Sequence, residues 1–383
     1  MKILFLDQSG KLGGAELSLA DVANHHRHAC QVALLQDGPF RKLLEDRQVP
    51  VQVLQAHLPP VRKDSGLLSA LGSLGSLGPL VSQTRRLSRG YDVIYANTPK
   101  ALVVGALAGV FSQRPVVYHL RDIISADHFS APNRKLLITL ANRFTVQIIA
   151  NSEATQAAFI AAGGDPKKVC VVYNGFDAAQ YNLEPSNPSS SMRQTLGLQD
   201  KFVVGHFSRL APWKGQHVLI EALTQCPDKV VALFVGDALF GEDDYVADLH
   251  QQVNQLNLSH RVHFLGFRND VPELMQACNL ITHTSTAPEP FGRVIVEAML
   301  CQRPIIASAA GGAVELIDHG QTGWLCPPDA PDQLAALINQ CQAQPDLAHR
   351  IVDKAYGMAQ QKFAIATVNR KIDSILHTAL EAV

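Results

Sequence analysis

Short apolar runs alternate with helix-like patterns along almost the whole chain, and no other feature restricts the fold as much. A strand, a helix and a second strand in succession favour a crossover with parallel pairing. Repetition then builds a parallel sheet covered by helices on both faces. In the first half Lys2–Leu6, Gln31–Leu35, Val51–Leu54, Val93–Ala96, Val116–His119, Gln147–Ala150 and Val169–Tyr173 read as strands. In the second half Val203–Ser208, Val230–Val235, Val262–Leu265, Leu280–His283 and Pro304–Ala307 do so. A chain of 383 residues is long for one core. The Pro/Ser-rich run Glu184–Ser191 (EPSNPSSS) has the composition of a linker, and the strand–helix pattern restarts after it. The expectation is an α/β protein of two doubly wound, Rossmann-like domains, residues 1–183 and 184–362. Their strand C-terminal ends would face each other across a cleft, where ligands of such sheets bind.

Composition narrows the function. A hydrophobic content of 47% with 17% charged residues fits a well-buried enzyme and not a disordered chain. A net charge of −1 argues against wholesale nucleic-acid binding. The charge is unevenly shared: residues 1–183 carry 19 Lys+Arg against 13 Asp+Glu, and the rest carry 14 against 21. A basic first half suits an anionic acceptor or membrane surface as readily as it reflects ordinary surface bias. Segment 58–90, with Arg62, Lys63, Arg85, Arg86 and Arg89 around a Leu/Gly/Ser core, reads as an acceptor-side loop, a membrane-touching helix or plain surface. The seven scattered cysteines lack metal-type spacing and suit a reducing cytoplasm. The opening MKILFLDQSG reads as a first strand, not a signal peptide. Neither Gly66–Gln83 nor Ala101–Phe111 makes a convincing membrane span. The expected location is cytoplasmic, with peripheral attachment to the cytoplasmic membrane face left open.

Chemistry concentrates at the predicted strand ends. In EPFGRVIVEAM, Glu289 falls in a loop, Pro290, Phe291 and Gly292 turn the chain into a helix, and Glu297 lies about one turn inside it. Backbone N–H groups from Phe291 to Val294 would be free for an anion at that helix N-terminus. Two carboxylates beside a phosphate site make sense for a ligand that also carries hydroxyls, as a nucleotide sugar does. In HFSRLAPWKGQHVLIEAL, Arg209 and Lys214 share one loop and suit a diphosphate, although a solvated surface pair has the same appearance. Gly13 and Gly14 follow the first strand and open a helix, as a ligand-approaching turn or a plain tight turn would. In VVYHLRDI, His119 could bind a sugar hydroxyl or move a proton, or be structural. Arg121 and Asp122 could simply pair with each other. Gly236, Gly266–Phe267 and Gly311–Gly312 end further strands, and Phe267 could lie against a nucleobase. Asp243–Asp244 reads as an exposed polar loop, and no H-E-x-x-H, Cys/His cluster or well-placed D-x-D marks a metal-held diphosphate, so basic residues would have to neutralise a leaving phosphate.

These motifs together resemble the family 4 glycosyltransferases of the GT-B fold. The resemblance rests on FSRLAPWKG, LGFRNDVPELMQACNL, EPFGRVIVEAM and GGAVELIDHGQTGWL, with GGAE near the start, the strand-end His119 and YNGFD at 173–177. It implies retaining, metal-independent transfer of a hexose from a nucleotide sugar, with UDP-glucose first and GDP-mannose or UDP-N-acetylglucosamine as competitors. The acceptor would be a glycan or lipid-linked saccharide of a cell-surface or exopolysaccharide pathway, shaped by loops such as Gly10–Gly14 and Asn97–Lys100. The resemblance implies that Arg209 and Lys214 hold the diphosphate, Glu297 the ribose hydroxyls and Glu289 the sugar's 3-hydroxyl region. Backbone N–H groups of Phe291 and Gly292 would meet the sugar and that of Val294 the phosphate. Gly14, beside Gly13, would approach the diphosphate, His119 the 6-hydroxyl, and Phe267 the base. Ser208–Arg209 and Gly236–Asp237–Ala238 depart from the family's usual Gly-Arg and GxG, the second touching the base or phosphate pocket. The family also has a C-terminal helix, here near 363–383, that packs on the first domain. An epimerase or phosphorylase on the same fold, or a non-catalytic sugar-nucleotide binder, remain alternatives.

Overall fold

The computed structural model describes residues 1–54, 67–126, 129–181, 188–239 and 241–381. The chain divides into two compact units, residues 1–175 with 365–383, and residues 176–364. In the first, strands β1 (Ile3–Asp7), β2 (Cys30–Leu34), β3 (Val51–Val53), β4 (Val93–Ala96), β5 (Val116–Leu120), β6 (Gln147–Ala150) and β7 (Val169–Val171) form one sheet in the order β3-β2-β1-β4-β5-β6-β7. In the second, β8 (Phe202–Phe207), β9 (Val230–Val235), β10 (Val262–Phe264), β11 (Leu280–His283), β12 (Ile305–Ser308) and β13 (Trp324–Cys326) lie in the order β10-β9-β8-β11-β12-β13. Every pairing in both sheets is parallel. Each sheet starts at its centre and then reverses direction of growth, between β1 and β4 and between β8 and β11. This is the doubly wound α/β fold that the strand–helix alternation predicts.

The strands form where Val, Ile and Leu run uninterrupted, because both faces of a parallel sheet are covered. Ile3 to Leu6 and Val230 to Phe234 are buried end to end. One face of the first sheet packs against the Pro99–Ser112 helix through Leu102, Val104 and Ala108. The other face packs against the Gly14–His25 helix and the last helix, Ile365–Glu381. Leu19 and Ala23 from the one, and Val368, Ile372, Leu376 and Ala379 from the other, join Ile3, Phe5 and Val32 in a single cluster.

The strand β13 is absent from the sequence reading, and three further details differ. The units divide at Gly175–Phe176, upstream of Glu184. Phe176 pairs with Ala364, and its N–H donates to the Phe363 carbonyl (2.8 Å), which fixes it to the second unit. Of the Pro/Ser-rich run, Pro188–Ser191 open a helix, Pro188–Thr195; proline is tolerated in a first helical turn because its missing N–H is not needed there. The rest of that run lies outside the described residues. Asp243 and Asp244 are exposed, but they sit in the first turn of the helix Asp243–Gln255, where negative charge suits the helix dipole. In segment 58–90 the Leu67–Ser88 stretch is helical, and Arg62 and Lys63 lie outside the described residues. Among the described residues no helix is long and apolar enough to cross a membrane.

Candidate functional site

In the second unit the site is built on the C-terminal ends of β8, β9, β11 and β12. The loop after β8 carries Arg209 and Lys214. Gly215 ends it with φ +69, and a Cβ there would sit 2.0 Å from the Thr284 carbonyl oxygen, so only glycine fits. Thr284 Oγ1 donates to the Gly215 carbonyl (2.7 Å), and Gln216 Nε2 donates to the Arg209 carbonyl (2.9 Å). The basic loop is thus fastened at both ends. Both cations lie against the Trp213 ring, Lys214 Nζ at 4.0 Å and the Arg209 guanidinium carbon at 5.6 Å from its centroid. Arg209 also lies 3.9 Å from Glu242.

Lys214 reaches Glu289, with Nζ and Oε2 2.6 Å apart. The same carboxylate oxygen is 3.2 Å from His283 Nε2 and accepts from Ser285 Oγ at 3.2 Å. Burial alone would raise the Glu289 carboxyl's pKa. The Lys214 charge and the bond from His283 outweigh it and hold the group well below the usual carboxylate range. Glu289 is therefore an anion at any physiological pH. It suits hydroxyl binding and charge stabilisation, not proton donation. Its backbone is equally fixed: Glu289 bridges Gly311, and its carbonyl accepts from Gly312 N–H at 2.7 Å.

The helix Arg293–Leu300 begins just beyond, with Gly292 as its N-cap at φ +91. Phe291 and Gly292 are buried and Val294 is half-buried. Glu297 accepts from Arg293 Nε (3.3 Å) and Tyr181 OH (3.4 Å). The Arg293 guanidinium is stacked 4.5 Å from the Phe176 ring centroid. Gly236 donates its N–H to the Gly266 carbonyl (2.9 Å), which brings the turns after β9 and β10 together. Phe267, next to Gly266, is 54% exposed.

In the first unit polar side chains are interlocked at the ends of β1, β4, β5 and β7. Asn97 Nδ2 donates to Asp7 Oδ2 (2.6 Å), and Asn97 Oδ1 accepts from Arg121 Nε (2.6 Å). Arg121 Nη1 donates to Asn174 Oδ1 (2.7 Å), and Nη2 lies 3.2 Å from His119 Nδ1. Tyr95 OH is also hydrogen-bonded to His119 Nδ1. Arginine can only donate, so His119 Nδ1 is an acceptor and the ring proton sits on Nε2. Burial, and after it the Arg121 charge, hold His119 well below its ordinary pKa. The ring is therefore a neutral Nε2–H donor. Gly13 caps the Gly14–His25 helix, and its missing Cβ leaves room for Glu16 Oε2, which would lie 2.8 Å away. Buried Glu16 and Asp7 are both pushed up by desolvation, Glu16 to about 8 and Asp7 to about 6.

The motif residues Arg209, Lys214, Glu289, Gly292 and Glu297 fall within one neighbourhood of the second unit, and Gly13, Gly14 and His119 lie in the first. Sequence reading missed His283 and Ser285 beside Glu289, and the Asp7–Asn97–Arg121–Asn174 network around His119. A signal was present: each is a polar residue at the end of a buried apolar run.

Comparison with known proteins extends this geometry. The family model for glycosyl transferases group 1 matches residues 189–358, and that for glycosyltransferase family 4 matches residues 12–180. The crystal structure of Anabaena Alr3699/HepE in complex with UDP-glucose is similar with a TM-score of 0.92 at 52% identity, covering 99% of this chain and 100% of that one. The same Anabaena protein with UDP and glucose gives a TM-score of 0.93 at 53% identity, with the same coverage. The capsular polysaccharide biosynthesis glycosyltransferase CapM of Staphylococcus aureus is 25% identical over 341 residues, 85% of this chain and 86% of its own length. With both units matched by family models and a relative 52% identical over nearly the whole chain, this protein belongs to the group 1, family 4 glycosyltransferases of the GT-B fold.

Proposed function

We propose that the protein transfers glucose from UDP-glucose, with retention of anomeric configuration, to a glycan or lipid-linked saccharide in cell-surface or exopolysaccharide synthesis. The observation that carries the donor reading is the 52% identity to an Anabaena protein crystallised with UDP-glucose. The name of the similar CapM supports a polysaccharide pathway.

In this reading Arg209 and Lys214 neutralise the diphosphate as it departs, without a metal. The Arg293–Leu300 helix N-terminus adds its dipole, with the Val294 N–H on phosphate. Glu297 takes the ribose hydroxyls, while Gly236 and Phe267 border the base. Glu289 and the N–H groups of Phe291 and Gly292 orient the sugar. His119, as a neutral donor through Nε2, and the Gly13–Gly14 turn are the first unit's contribution to sugar and diphosphate. The acceptor hydroxyl attacks the anomeric carbon on the face the phosphate leaves, the C–O bond to phosphate breaks, and the departing phosphate oxygen takes the hydroxyl proton. The work would take place in the cytoplasm, with Arg85, Arg86 and Arg89 drawing the first unit to an anionic membrane surface.

The test is UDP release from UDP-glucose, UDP-N-acetylglucosamine, GDP-mannose and ADP-glucose, with and without chelator, followed by NMR of the product anomer. Turnover of UDP-glucose to an α-linked product, unchanged by chelator, is expected. A β-linked product overturns retention, and a trapped glycosyl–Glu289 adduct overturns the same-face step. Sugar-nucleotide turnover without glycoside formation would indicate an epimerase or hydrolase.

A further inference from the structure

We propose that His25, His26 and Asp373 form a binding site for a divalent transition-metal cation of the zinc type, tying the last helix of the chain to the first. The three side chains come from two elements of the first unit. His25 ends the Gly14–His25 helix, His26 is its C-cap, and Asp373 lies on the Ile365–Glu381 helix that packs beside it. Their ligating atoms all lie within 4.8 Å of one another. His25 Nε2 is 3.1 Å from Asp373 Oδ2, and His26 Nε2 is 3.1 Å from Asp373 Oδ1.

The two histidine–carboxylate separations, each to a different oxygen of Asp373, are of the size that one shared ion would set. Zinc binds imidazole nitrogen and carboxylate oxygen at about 2.0–2.2 Å in tetrahedral geometry, which places neighbouring ligand atoms about 3.3 Å apart. An ordinary His–carboxylate bridge accounts for the His25 contact, which is an aligned hydrogen bond. It does not account for the His26 contact. His26 Nε2 and Asp373 Oδ1 are both buried and sit at hydrogen-bond distance, yet neither is aligned to bond the other. Two such atoms side by side, with no hydrogen bond between them, are placed to share a third atom. The donor set of two imidazoles and one carboxylate is that of borderline-soft divalent ions, with water completing the shell. The sequence around the site, HHRH at 25–28, is itself a short histidine-rich tract.

The site lies at the far end of the Gly14–His25 helix from Gly14 and would act by fastening. The Ile365–Glu381 helix begins where the chain leaves the second unit at Ala364, and its apolar face is already seated through Val368, Ile372 and Leu376. A cation at Asp373 would add a polar clamp on the rim of that contact and stabilise the folded state according to its concentration.

The experiment uses the full chain, freed of any affinity tag, desalted after exposure to Zn²⁺ and assayed for retained metal. Co²⁺ substitution then reads coordination through its visible absorption. The expected result is one ion per chain, an intense tetrahedral cobalt spectrum, and a thermal midpoint raised by Zn²⁺. His26→Ala and Asp373→Asn would each lose all three, while His28→Ala keeps them. Asp373→Asn preserves shape, and circular dichroism of the metal-free variants confirms that they fold. The proposal is overturned if the wild-type chain retains no ion, or if the two variants bind as well as it does.

Discussion

Lys214 Nζ and Glu289 Oε2 stand 2.6 Å apart with 15% and 12% of their side chains exposed. The cation proposed to meet phosphate and the carboxylate proposed to meet sugar are therefore held as one electrostatic unit. Losing either changes the other. In Lys214→Ala the carboxylate keeps its burial but loses its main counter-charge, so its pKa rises toward the ordinary range. Turnover should fall roughly 10²–10³-fold, the usual loss for one stabilising donor. Lys214→Arg should recover only part of this, because the guanidinium fork does not occupy an ammonium's place. Steady-state kinetics of UDP release checks both; a Lys214→Ala enzyme with near wild-type turnover would refute the shared role.

Tyr95→Phe removes one of two donors to His119 Nδ1 without altering ring size. Arg121 still holds the tautomer, so the variant should fold normally and lose activity by about tenfold or less. The loss should appear in kcat more than in KM if the Nε2–H meets the sugar mainly as the bond breaks. Arg121→Gln weakens the second donor and frees Asn97 and Asn174 as well, and should cost more. A loss confined to KM would mean that the histidine serves ground-state binding alone.

Glu16 and Asp7 give the first unit an unusual pH response. Both carboxyls bind protons more tightly when folded, Glu16 at about 8 and Asp7 at about 6, against ordinary values of 4.5 and 3.8. Their contribution to stability is complete below the unfolded values and is lost as pH rises through the folded ones. Resistance to urea should therefore decline between about pH 5 and pH 8. Glu16→Gln, which mimics the protonated acid, should flatten most of that decline. Urea midpoints at pH 5, 7 and 9 read the effect; a wild-type midpoint that rises across this interval would contradict the raised values.

Gly215→Ala places a methyl group 2.0 Å from the Thr284 carbonyl at a φ of +69. Backbone strain of this kind costs about 1–3 kcal/mol before the steric clash is added. The second unit should lose stability, and the loop should shift enough to weaken UDP binding. Calorimetric titration with UDP beside a thermal melt separates the two effects, and an unchanged variant would show that the loop has more room than its contacts imply.

Strand positions were legible because Val/Ile/Leu runs have few other uses in a doubly wound sheet. Trp324–Cys326 escaped notice because three residues at the end of the turn-rich GGAVELIDHGQTGWLC carry too little pattern. Pro188–Ser191 read as part of a linker because its polar Ser run hides the start of the helix Pro188–Thr195. At the site, Arg209, Lys214, Glu289 and Glu297 stood out through charge at strand ends and helix starts. His283 and Ser285 did not, and Asn97 and Asn174 entered only as parts of the Asn97–Lys100 loop and the YNGFD run. Their meaning lies in which strands become neighbours, and single polar residues at the ends of apolar runs name no partner until the sheet order is known.

The backbone tie between Glu289 and the Gly311–Gly312 turn limits which segments can be exchanged separately. A Cβ at Gly311 would sit 2.3 Å from the Glu289 carbonyl oxygen, so the two loops are a single template cast in two pieces of chain. A chimaera that imports a relative's EPFG loop while keeping its own residues 309–312 would join mismatched halves. Recombination that respects this seam must carry both segments together, and with Glu289 in the role proposed for it, sugar choice would be inherited, or re-engineered, through the pair.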